Sequence, residues 1–500
     1  MNLVLEAIVN LLQPLNFLML VGGVFIGLLA GATPGISGTM MVILLIPITY
    51  FLQPDAAFLL LSAVYCAAVF SGSISAILFR TPGAPEAVAT TLDGYEMTKK
   101  GKAAEALGIS IFSSALGGLI GTLILIFAAP RLASFALAFG PAEYFALAIV
   151  GLSVVAVLGS RNMIKAFMAG LLGLWLATVG IDAMSGVPRF TFGIGVLMGG
   201  IELVAVLIGL FAISEVLRRV MQDQTVREKV GKVTSTLPKL PMIRRLTGTI
   251  ARSSIIGTFI GILPGIGATT AAMVSYSEAV RWSKEPEKFG TGLEEGVSAP
   301  EAANNAAANG AMVPLLALGI PGSATTAVLL GAFILHGIQP GPLLFFQQPL
   351  LVNTLFVGLF LSNFLILFMA KPFIMGFANI IKIPYSVLGP LILLLCILGV
   401  FGIRNNLMDV WIALFFGVVG YVLEKYGFPL APIILGLVLG GMAEQELRRA
   451  LIMSGGSWQI FLDSPIAMTL LIGGAILMLY PIISQLLKSR RNKTGDAAGS

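Results

Sequence analysis

Apolar residues fill long runs of the chain, and short polar or glycine- and proline-rich stretches separate these runs. Leu15–Gly31, Leu107–Ala129 and Ala142–Leu158 are three of them. A run of about 17–25 apolar residues is long enough for a helix that crosses a bilayer. The pattern therefore predicts an all-α polytopic membrane protein.

Counting these runs predicts the number of membrane spans. The first half of the chain has seven, near residues 15–31, 38–52, 56–79, 103–129, 141–158, 161–180 and 193–217. The second half repeats the pattern, and one extra span follows near residues 465–486.

Short segments of the first half recur in the second half in the same order. GATPGISGT from Gly31 resembles GILPGIGAT from Gly261, and TPGA from Thr81 resembles IPGS from Ile320. VLGSRN and VFGIRN match in the same way, as do GVLMGG and GLVLGG, with nearly the same displacement along the chain. Four ordered matches indicate an internal duplication.

The duplication predicts four regions. Residues 1–217 form the first membrane repeat, 218–246 a basic cytoplasmic linker, 247–453 the second repeat, and 454–500 the extra span with a basic cytoplasmic tail. An odd number of spans in the first half turns the second half over, so we expect inverted-topology repeats. Placing the basic clusters on the cytoplasmic side, as the positive-inside rule requires, agrees with this orientation.

Composition and charge narrow the class of protein. Hydrophobic residues make up 57% of the chain and charged residues 11%, whereas soluble domains are about 25% charged. The formal net charge is +6, and its clustering beside apolar runs indicates cytoplasmic loops. Nucleic acid is not an expected partner.

Proline and glycine interrupt the apolar runs at matching positions of the two halves: TPGISGT and LPGIGATT, then RTPGAPE and IPGSATT. Irregular backbone is tolerated at membrane depth only where protein or a water-filled cavity covers it. A broken helix also presents an N-terminus with free N–H groups and a positive dipole end, which suits a carboxylate. Such breaks in repeated halves are typical of a transporter's substrate site.

The stretch PEAANNAAANG, from Pro300 to Gly310, adds polar side chains to an apolar context. At helical spacing, Glu301 shares a face with Asn305, and Asn305 shares one with Asn309. Amides of this kind either join helices by hydrogen bonds or bind a cation or an anionic substrate. Their number, and a carboxyl group at membrane depth, favour function. We expect Glu301 and Asn305 to couple transport to an ion.

Other classes of function have weaker signals. GISG at Gly35–Gly38 matches the serine pattern of rhomboid intramembrane proteases, but the second half has GIGA instead. A passive channel would more often carry rings of like charge, and none is apparent; a structural membrane scaffold is the remaining alternative. His336 is the single histidine, and Cys66 and Cys396 lie within apolar runs, so neither a multi-histidine metal site nor a disulfide framework is expected. Without a nucleotide-binding motif, the energy for uptake would come from an ion gradient.

The segments GATPGISGTMMVILLIPITY and PEAANNAAANGAMVPLLALGIPGSATTAVLLGAFILHGIQPGP resemble the large membrane subunit, the TctA type, of the tripartite tricarboxylate transporters. The resemblance covers nearly the whole chain. It implies a bacterial inner-membrane secondary transporter that works with a small membrane subunit and a periplasmic solute-binding protein. It also implies uptake of citrate or related carboxylates, driven by a proton or sodium gradient, without a further cofactor.

Together the breaks and the polar stretch predict where substrate binds. We expect neither catalytic residues nor a metal site. The predicted substrate-binding residues are Thr33, Pro34, Gly35, Ser37, Gly38, Thr39, Pro82, Gly83, Pro264, Gly265, Gly267, Thr269, Thr270, Asn304, Asn305, Asn309, Pro321, Gly322 and Ser323.

Overall fold

The computed structural model describes residues 3–33, 36–158, 163–182, 184–221, 237–380 and 385–479. These residues are mainly helical, with one two-stranded antiparallel hairpin. In chain order the elements are α1 (Leu3–Leu11), α2 (Pro14–Ala32), α3 (Gly38–Thr49), α4 (Pro54–Phe79), α5 (Thr91–Lys99), α6 (Ala103–Ala136), α7 (Pro141–Leu158), α8 (Met163–Ala177), β1 (Gly180–Ile181), β2 (Pro188–Arg189), α9 (Leu203–Leu207), α10 (Ser214–Met221), α11 (Leu240–Ile262), α12 (Gly267–Trp282), α13 (Glu294–Gly310), α14 (Met312–Leu318), α15 (Ala324–Leu335), α16 (Leu344–Gln347), α17 (Pro349–Ile380), α18 (Tyr385–Arg404), α19 (Leu407–Lys425), α20 (Ala431–Met453), α21 (Ile460–Asp463) and α22 (Pro465–Leu479).

Within the described ranges, six helices are long and apolar enough to cross a membrane, namely α2, α4, α6, α17, α18 and α19. This agrees with the predicted all-α membrane protein. The predicted span at 193–217 is wrong as a single helix. Residues Gly195–Gly199 form a short 3-10 turn, and α9 and α10 are joined by a π-helical segment, Ile208–Ile213. Gly193 and Gly200 adopt positive φ angles, and glycine-rich backbone of this kind interrupts helices.

The chain divides into two compact units. One comprises Met1–Leu137 and Glu202–Val422, and the other Ala138–Ile201 and Leu423–Ser500. The first unit contains all of the predicted substrate-binding residues that the structure describes. The predicted linker at 218–246 and the predicted tail lie largely outside the described residues.

In the first unit, glycines bring pairs of helices into close contact, in the same way in each half of the sequence. A Cβ added at Gly27 of α2 would lie 2.6 Å from the Val64 carbonyl oxygen of α4. One added at Gly261 of α11 would lie 2.2 Å from the Ala307 carbonyl oxygen of α13. Small residues that let backbones touch are the usual device for packing helices in membranes. The pair α2–α4 in the first half and the pair α11–α13 in the second thus pack through glycines in the same way.

The contacts also give the direction of these helices. Along α4, Cys66 meets Asn309 and Ser73 meets Ser110, which in turn contacts Glu301. Residues later in α4 therefore lie near residues earlier in α13, so α4 and α13 run antiparallel. Each of two long helices packs on a helix from the other half of the sequence: α6 of the first half packs on α13, and α17 of the second half packs on α4.

The second unit is built around α20. Helix α20 packs on α7 and α8, and a small apolar core forms around Ala146, Ala450 and Phe461. The hairpin strands β1 and β2 are tied to α20 by ion pairs of Asp182 with Arg448 and of Arg189 with Glu444. Hydrogen bonds from the Met184 amide and the Ser185 hydroxyl, helped by Arg448, lower the pKa of Asp182 to about 2.

Candidate functional site

The first predicted break separates α2 from α3. Ser37 is the N-cap of α3, and its side chain accepts a hydrogen bond from the Met40 amide at 3.1 Å. The Thr33 hydroxyl donates back to the Leu29 carbonyl at 2.7 Å, so it closes the end of α2. Pro34 and Gly35 lie outside the described residues.

A break in the second half of the sequence precedes α15, and it is the one that resembles TPGA at Thr81. Ser323 is the N-cap, and it forms a capping box with Thr326: the Thr326 amide donates to the Ser323 hydroxyl, and the Ser323 amide donates to the Thr326 hydroxyl. Pro321 and Gly322 are buried immediately before it. Capping of this kind fixes where the helix begins and satisfies part of its free N–H groups.

These two helix N-termini meet. The hydroxyls of Thr39 in α3 and Thr325 in α15 lie 2.6 Å apart, and the Tyr65 hydroxyl of α4 lies 3.3 Å from that of Ser323. The positive ends of two helix dipoles and a group of hydroxyls thus share one place. Ser37, Thr39 and Ser323 are half-buried there. Such an arrangement is suited to an anion, because amides and hydroxyls donate to it and the dipoles stabilise its charge.

Glycines in the later break of each half, Gly83 and Gly322, allow two backbone segments to approach each other closely. A Cβ at Gly83 would lie 2.0 Å from the Gly31 carbonyl oxygen, and one at Gly322 would lie 2.7 Å from the Gly261 carbonyl oxygen. The same contact therefore occurs in both halves. The Gly265 amide donates to the Gly322 carbonyl at 2.9 Å, which joins the breaks of the second half.

Helix α12 begins at Gly267, two residues after the glycine whose amide donates to the Gly322 carbonyl. Gly265 and Gly267 have positive φ angles, and Pro264, Thr269 and Thr270 are half-buried. Helix α12 packs on α11, on α13 and on the 3-10 turn Pro85–Ala87, which follows the half-buried Pro82. Helix α12 thus packs on the turn that follows the other break of the first half.

The three asparagines of α13 are all buried. The side-chain amides of Asn305 and Asn309 donate to the carbonyls of Glu301 and Asn305, four residues earlier. The Asn304 amide lies 3.3 Å from the Glu86 carbonyl, and Asn305 donates to the Asn304 side chain at 2.8 Å. The Asn309 oxygen accepts from Thr122 at 3.1 Å and contacts the Cys66 sulfur at 3.8 Å.

Two amide oxygens near this row are incompletely satisfied. The side-chain oxygens of Asn305 and Asn363 are buried and accept no hydrogen bond from any described residue. Leaving a buried polar atom without a partner costs about 1–3 kcal/mol. Such atoms are places where a ligand, an ion or a water molecule would gain a hydrogen bond.

Glu301 is fully buried in the middle of α13. Its two carboxylate oxygens are contacted by the hydroxyls of Thr90, Ser110 and Ser114 and, at 3.5 Å, by the Asn304 amide. In the described part of the chain, no three or more His, Cys, Asp or Glu side chains form a group that could hold a metal ion.

Several residues of this region were not predicted from the sequence. Tyr65, Cys66, Thr122 and Asn363 lie within apolar helices and Thr90 lies just before α5, and nothing in their local pattern marks them. The serines of α4 and α6 could have been predicted to line a polar region, because they cluster within runs that are otherwise apolar: Ser71, Ser73, Ser75, Ser110, Ser113 and Ser114.

The alternative of a serine–histidine pair does not fit this geometry. Ser37 caps the start of α3, whereas the ring of His336 lies 3.4 Å from the Thr49 hydroxyl, at the end of α3. Twelve helical residues separate these points by roughly 18 Å at 1.5 Å per residue.

Known proteins resemble the chain over most of its length. A model of the tripartite tricarboxylate transporter TctA family matches residues 17–435. An uncharacterized 52.8 kDa protein in the TAR-I ttuC' 3' region of Agrobacterium vitis is 39% identical over 483 residues, 96% of each chain. An uncharacterized protein in the TAR-II ttuC' 3' region of the same organism is 40% identical over 237 residues, 47% of this chain and 98% of the relative. No solved structure matches the chain.

Proposed function

Because the chain belongs to the tripartite tricarboxylate transporter TctA family, we propose that it is the substrate-translocating subunit of a secondary transporter in the bacterial inner membrane. It takes up citrate or related carboxylates and uses a proton or sodium gradient. A periplasmic solute-binding protein delivers the substrate, and a small membrane subunit completes the assembly.

The observation that carries the proposal is the meeting of α3 and α15 at their N-termini. Thr39 and Thr325, one from each half of the sequence, touch there, with Ser323 and Tyr65 alongside. A substrate carboxylate held at this point would accept hydrogen bonds from these hydroxyls and from the free amides of the first helical turns. Its charge would face the positive ends of both helices.

Inverted repeats belong to the same proposal. Three observations support them: the paired glycine contacts in both breaks, the similar glycine packing of α2–α4 and of α11–α13, and the antiparallel course of α4 and α13. Alternating access in repeat transporters occurs around a fixed site at the repeat interface, and the contact between Thr39 and Thr325 joins the two repeats.

The remaining predicted residues take supporting roles in this proposal. Asn304, Asn305 and Asn309 continue the polar lining along α13, and Asn305 keeps an amide oxygen available. Glu301 is the group that couples substrate movement to the ion gradient.

Reconstitution tests the function directly. The chain is placed in proteoliposomes with its small membrane subunit and solute-binding protein, and uptake of a panel of labelled di- and tricarboxylates is measured under an imposed proton or sodium gradient. We expect accumulation of at least one carboxylate that requires the binding protein and a gradient. Accumulation that follows ATP at a clamped gradient, or none with any carboxylate, would contradict the proposal.

A further inference from the structure

The carboxyl group of Glu301 lies in a shell made of hydroxyls. Thr90 contacts one oxygen at 2.5 Å, and Ser114 and Ser110 contact the other at 2.8 and 3.2 Å. Ser110 is itself 2.7 Å from the Ser73 hydroxyl. Glu301 is 0% exposed, and among the described residues it forms no ion pair with a Lys, Arg or His.

A shell of this composition can satisfy the carboxyl group in two states. Each hydroxyl can donate a hydrogen bond to an ionised carboxylate, or rotate and accept one from a protonated carboxyl group. An arginine or lysine in the same place would favour the ionised state alone. A shell that tolerates gain and loss of a proton is what a proton-carrying residue requires.

The shell is less suited to a metal cation. The hydroxyl oxygens are in direct hydrogen-bonding contact with the carboxylate oxygens. A cation would need these oxygens to move apart and direct their lone pairs to a common centre.

Other titratable groups around α13 have partners of their own. Asp93 accepts from the Tyr276 hydroxyl and from the backbone amides of Gly290, Gly292 and Leu293. Arg245 pairs with Glu294 at 2.8 Å. On the packed elements the titratable and charged groups nearest to this region are Tyr65 and Cys66 on α4, Glu86 in the 3-10 turn, Asp93 on α5, Glu105 on α6, Arg245 and Arg252 on α11, and Tyr276 on α12. The described contacts of Glu301 include none of these side chains.

Polar side chains lie along α13 between Glu301 and the two helix N-termini. The Asn304 amide lies 3.5 Å from the Glu301 carboxylate, Asn305 donates to the Asn304 side chain, and Asn309 donates to the Asn305 backbone carbonyl. The Asn309 side-chain oxygen lies 3.8 Å from the Cys66 sulfur of α4, and Tyr65 of the same helix contacts Ser323 at the start of α15. Glu301 and the proposed substrate site are thus connected through the packing of α13 on α4.

We propose that Glu301, in its hydroxyl shell, carries the proton that is coupled to transport, and that sodium does not bind there. This proposal rests on the proposed transport function, because it names the ion of that site. One proton binds the Glu301 carboxylate from the side of the membrane on which substrate enters. The same proton is released to water on the other side.

A spectroscopic test does not depend on knowing the substrate. Infrared spectra of the purified chain in lipid are recorded across a pH titration, with sodium or with choline as the salt, for wild type and Glu301→Gln. We expect a carbonyl band of a protonated carboxyl group that is present in wild type, missing in Glu301→Gln and unchanged by sodium. Glu105→Gln, at the accessible start of α6, is the matched control and should keep the band.

Two outcomes would overturn the proposal. A Glu301→Gln spectrum that keeps the full band would assign the proton to another group, and a band that sodium removes would make this shell a cation site.

Transport supplies the second arm, with labelled citrate as the probe. Glu301→Gln should lose pH-driven accumulation at least about tenfold while exchange of citrate across the membrane continues, since exchange needs no net proton movement. Undiminished accumulation would contradict the proposal. A wild type that transports no citrate would count against the proposed substrate, and the infrared arm would still decide on Glu301.

Discussion

At the scale of single residues, the candidate site is distinguished by a buried polar atom that lacks a hydrogen-bond partner among the described residues. The Asn305 amide nitrogen has two acceptors, whereas its oxygen has no donor among the described residues. Asp93 is the opposite case, because its buried carboxylate is fully satisfied. It accepts from Tyr276 and from the amides of Gly290, Gly292 and Leu293. We infer a binding role for Asn305 and a structural role for Asp93.

Asn305→Ala should lower transport more than stability. If its free oxygen binds substrate or ion, uptake per folded molecule should fall about tenfold, the loss of about 1.4 kcal/mol. The hydrogen bonds that the Asn305 amide loses both lie within α13, and their loss should cost only about 0.5–1.5 kcal/mol in stability. Uptake and thermal unfolding in detergent are measured together. Asn353→Ala is the control, because Asn353 makes the same bond to the carbonyl four residues earlier. Normal uptake at limiting and saturating substrate would remove Asn305 from the site.

Asp93→Ala should lower stability strongly. It leaves one hydroxyl and several backbone amides without an acceptor, and we expect a loss of about 3 kcal/mol, since each buried unsatisfied donor costs about 1–3 kcal/mol. Asp93→Asn should lose less, because its amide oxygen still accepts. Chemical unfolding in detergent measures both. Glu105→Ala, which removes a distant surface pair at 3.8 Å, should change stability by less than about 1 kcal/mol. Equal effects of Asp93→Ala and Glu105→Ala would refute the structural role.

At the scale of elements, the broken helices depend on glycines that allow one backbone to touch another. Gly83 and Gly322 lie against the carbonyls of Gly31 and Gly261. No other residue has a side chain small enough for these distances. The breaks themselves were readable from the sequence, because PG pairs interrupt apolar runs at matching positions. The sequence did not predict which of the breaks contact each other, because the contact of α3 with α15 joins residues 286 positions apart.

Gly83→Ala and Gly322→Ala should both destabilise the protein, by about 1–3 kcal/mol each, because a methyl group would overlap backbone atoms that cannot rotate away. The larger loss is expected at Gly83, where the overlap is at 2.0 Å rather than 2.7 Å. The thermal midpoint in detergent measures the effect. Gly248→Ala is the control: nothing lies within 4 Å of its added Cβ, and inside α11 it should stabilise by about 0.5–1 kcal/mol. Destabilisation at Gly248 equal to that at Gly83 would refute the contact.

Isolated polar side chains in long apolar helices could not be assigned to the site from the sequence. Glu301 and the asparagines stood out because PEAANNAAANG is unusual in an apolar chain. Thr122 and Asn363 contact that row, yet each is one polar residue in a long helix. Only tertiary packing of α6 and α17 brings them there, and packing partners are not encoded in local periodicity.

At the scale of the whole molecule, the membrane-spanning helices followed from hydropathy, and the short repeats predict a duplication. The packing of α6 and α17 on helices of the other half did not follow from the sequence, because it depends on contacts across most of the chain. The antiparallel course of α4 and α13 leads to a topology test.

Cysteines at Phe51 and Lys284 should react with impermeant thiol reagents from opposite sides of the membrane. Both positions are exposed in the turns after α3 and α12, the corresponding short helices of the two repeats. The native Cys66 and Cys396 are buried, so the unmodified chain is the control for background labelling. Labelling of both positions from the same side would contradict inverted repeats.

The central claim is that the N-termini of α3 and α15 form the carboxylate site. The most direct measurement compares uptake per folded molecule for wild type, Thr39→Val and Thr325→Val in the reconstituted assembly. Valine keeps the shape and removes the hydroxyl, and Thr247→Val, on the exposed face of α11, is the control. We predict that each site variant loses transport about tenfold or more, with an increased substrate concentration for half-maximal uptake, while Thr247→Val behaves as wild type. Wild-type uptake by both Thr39→Val and Thr325→Val would contradict the account.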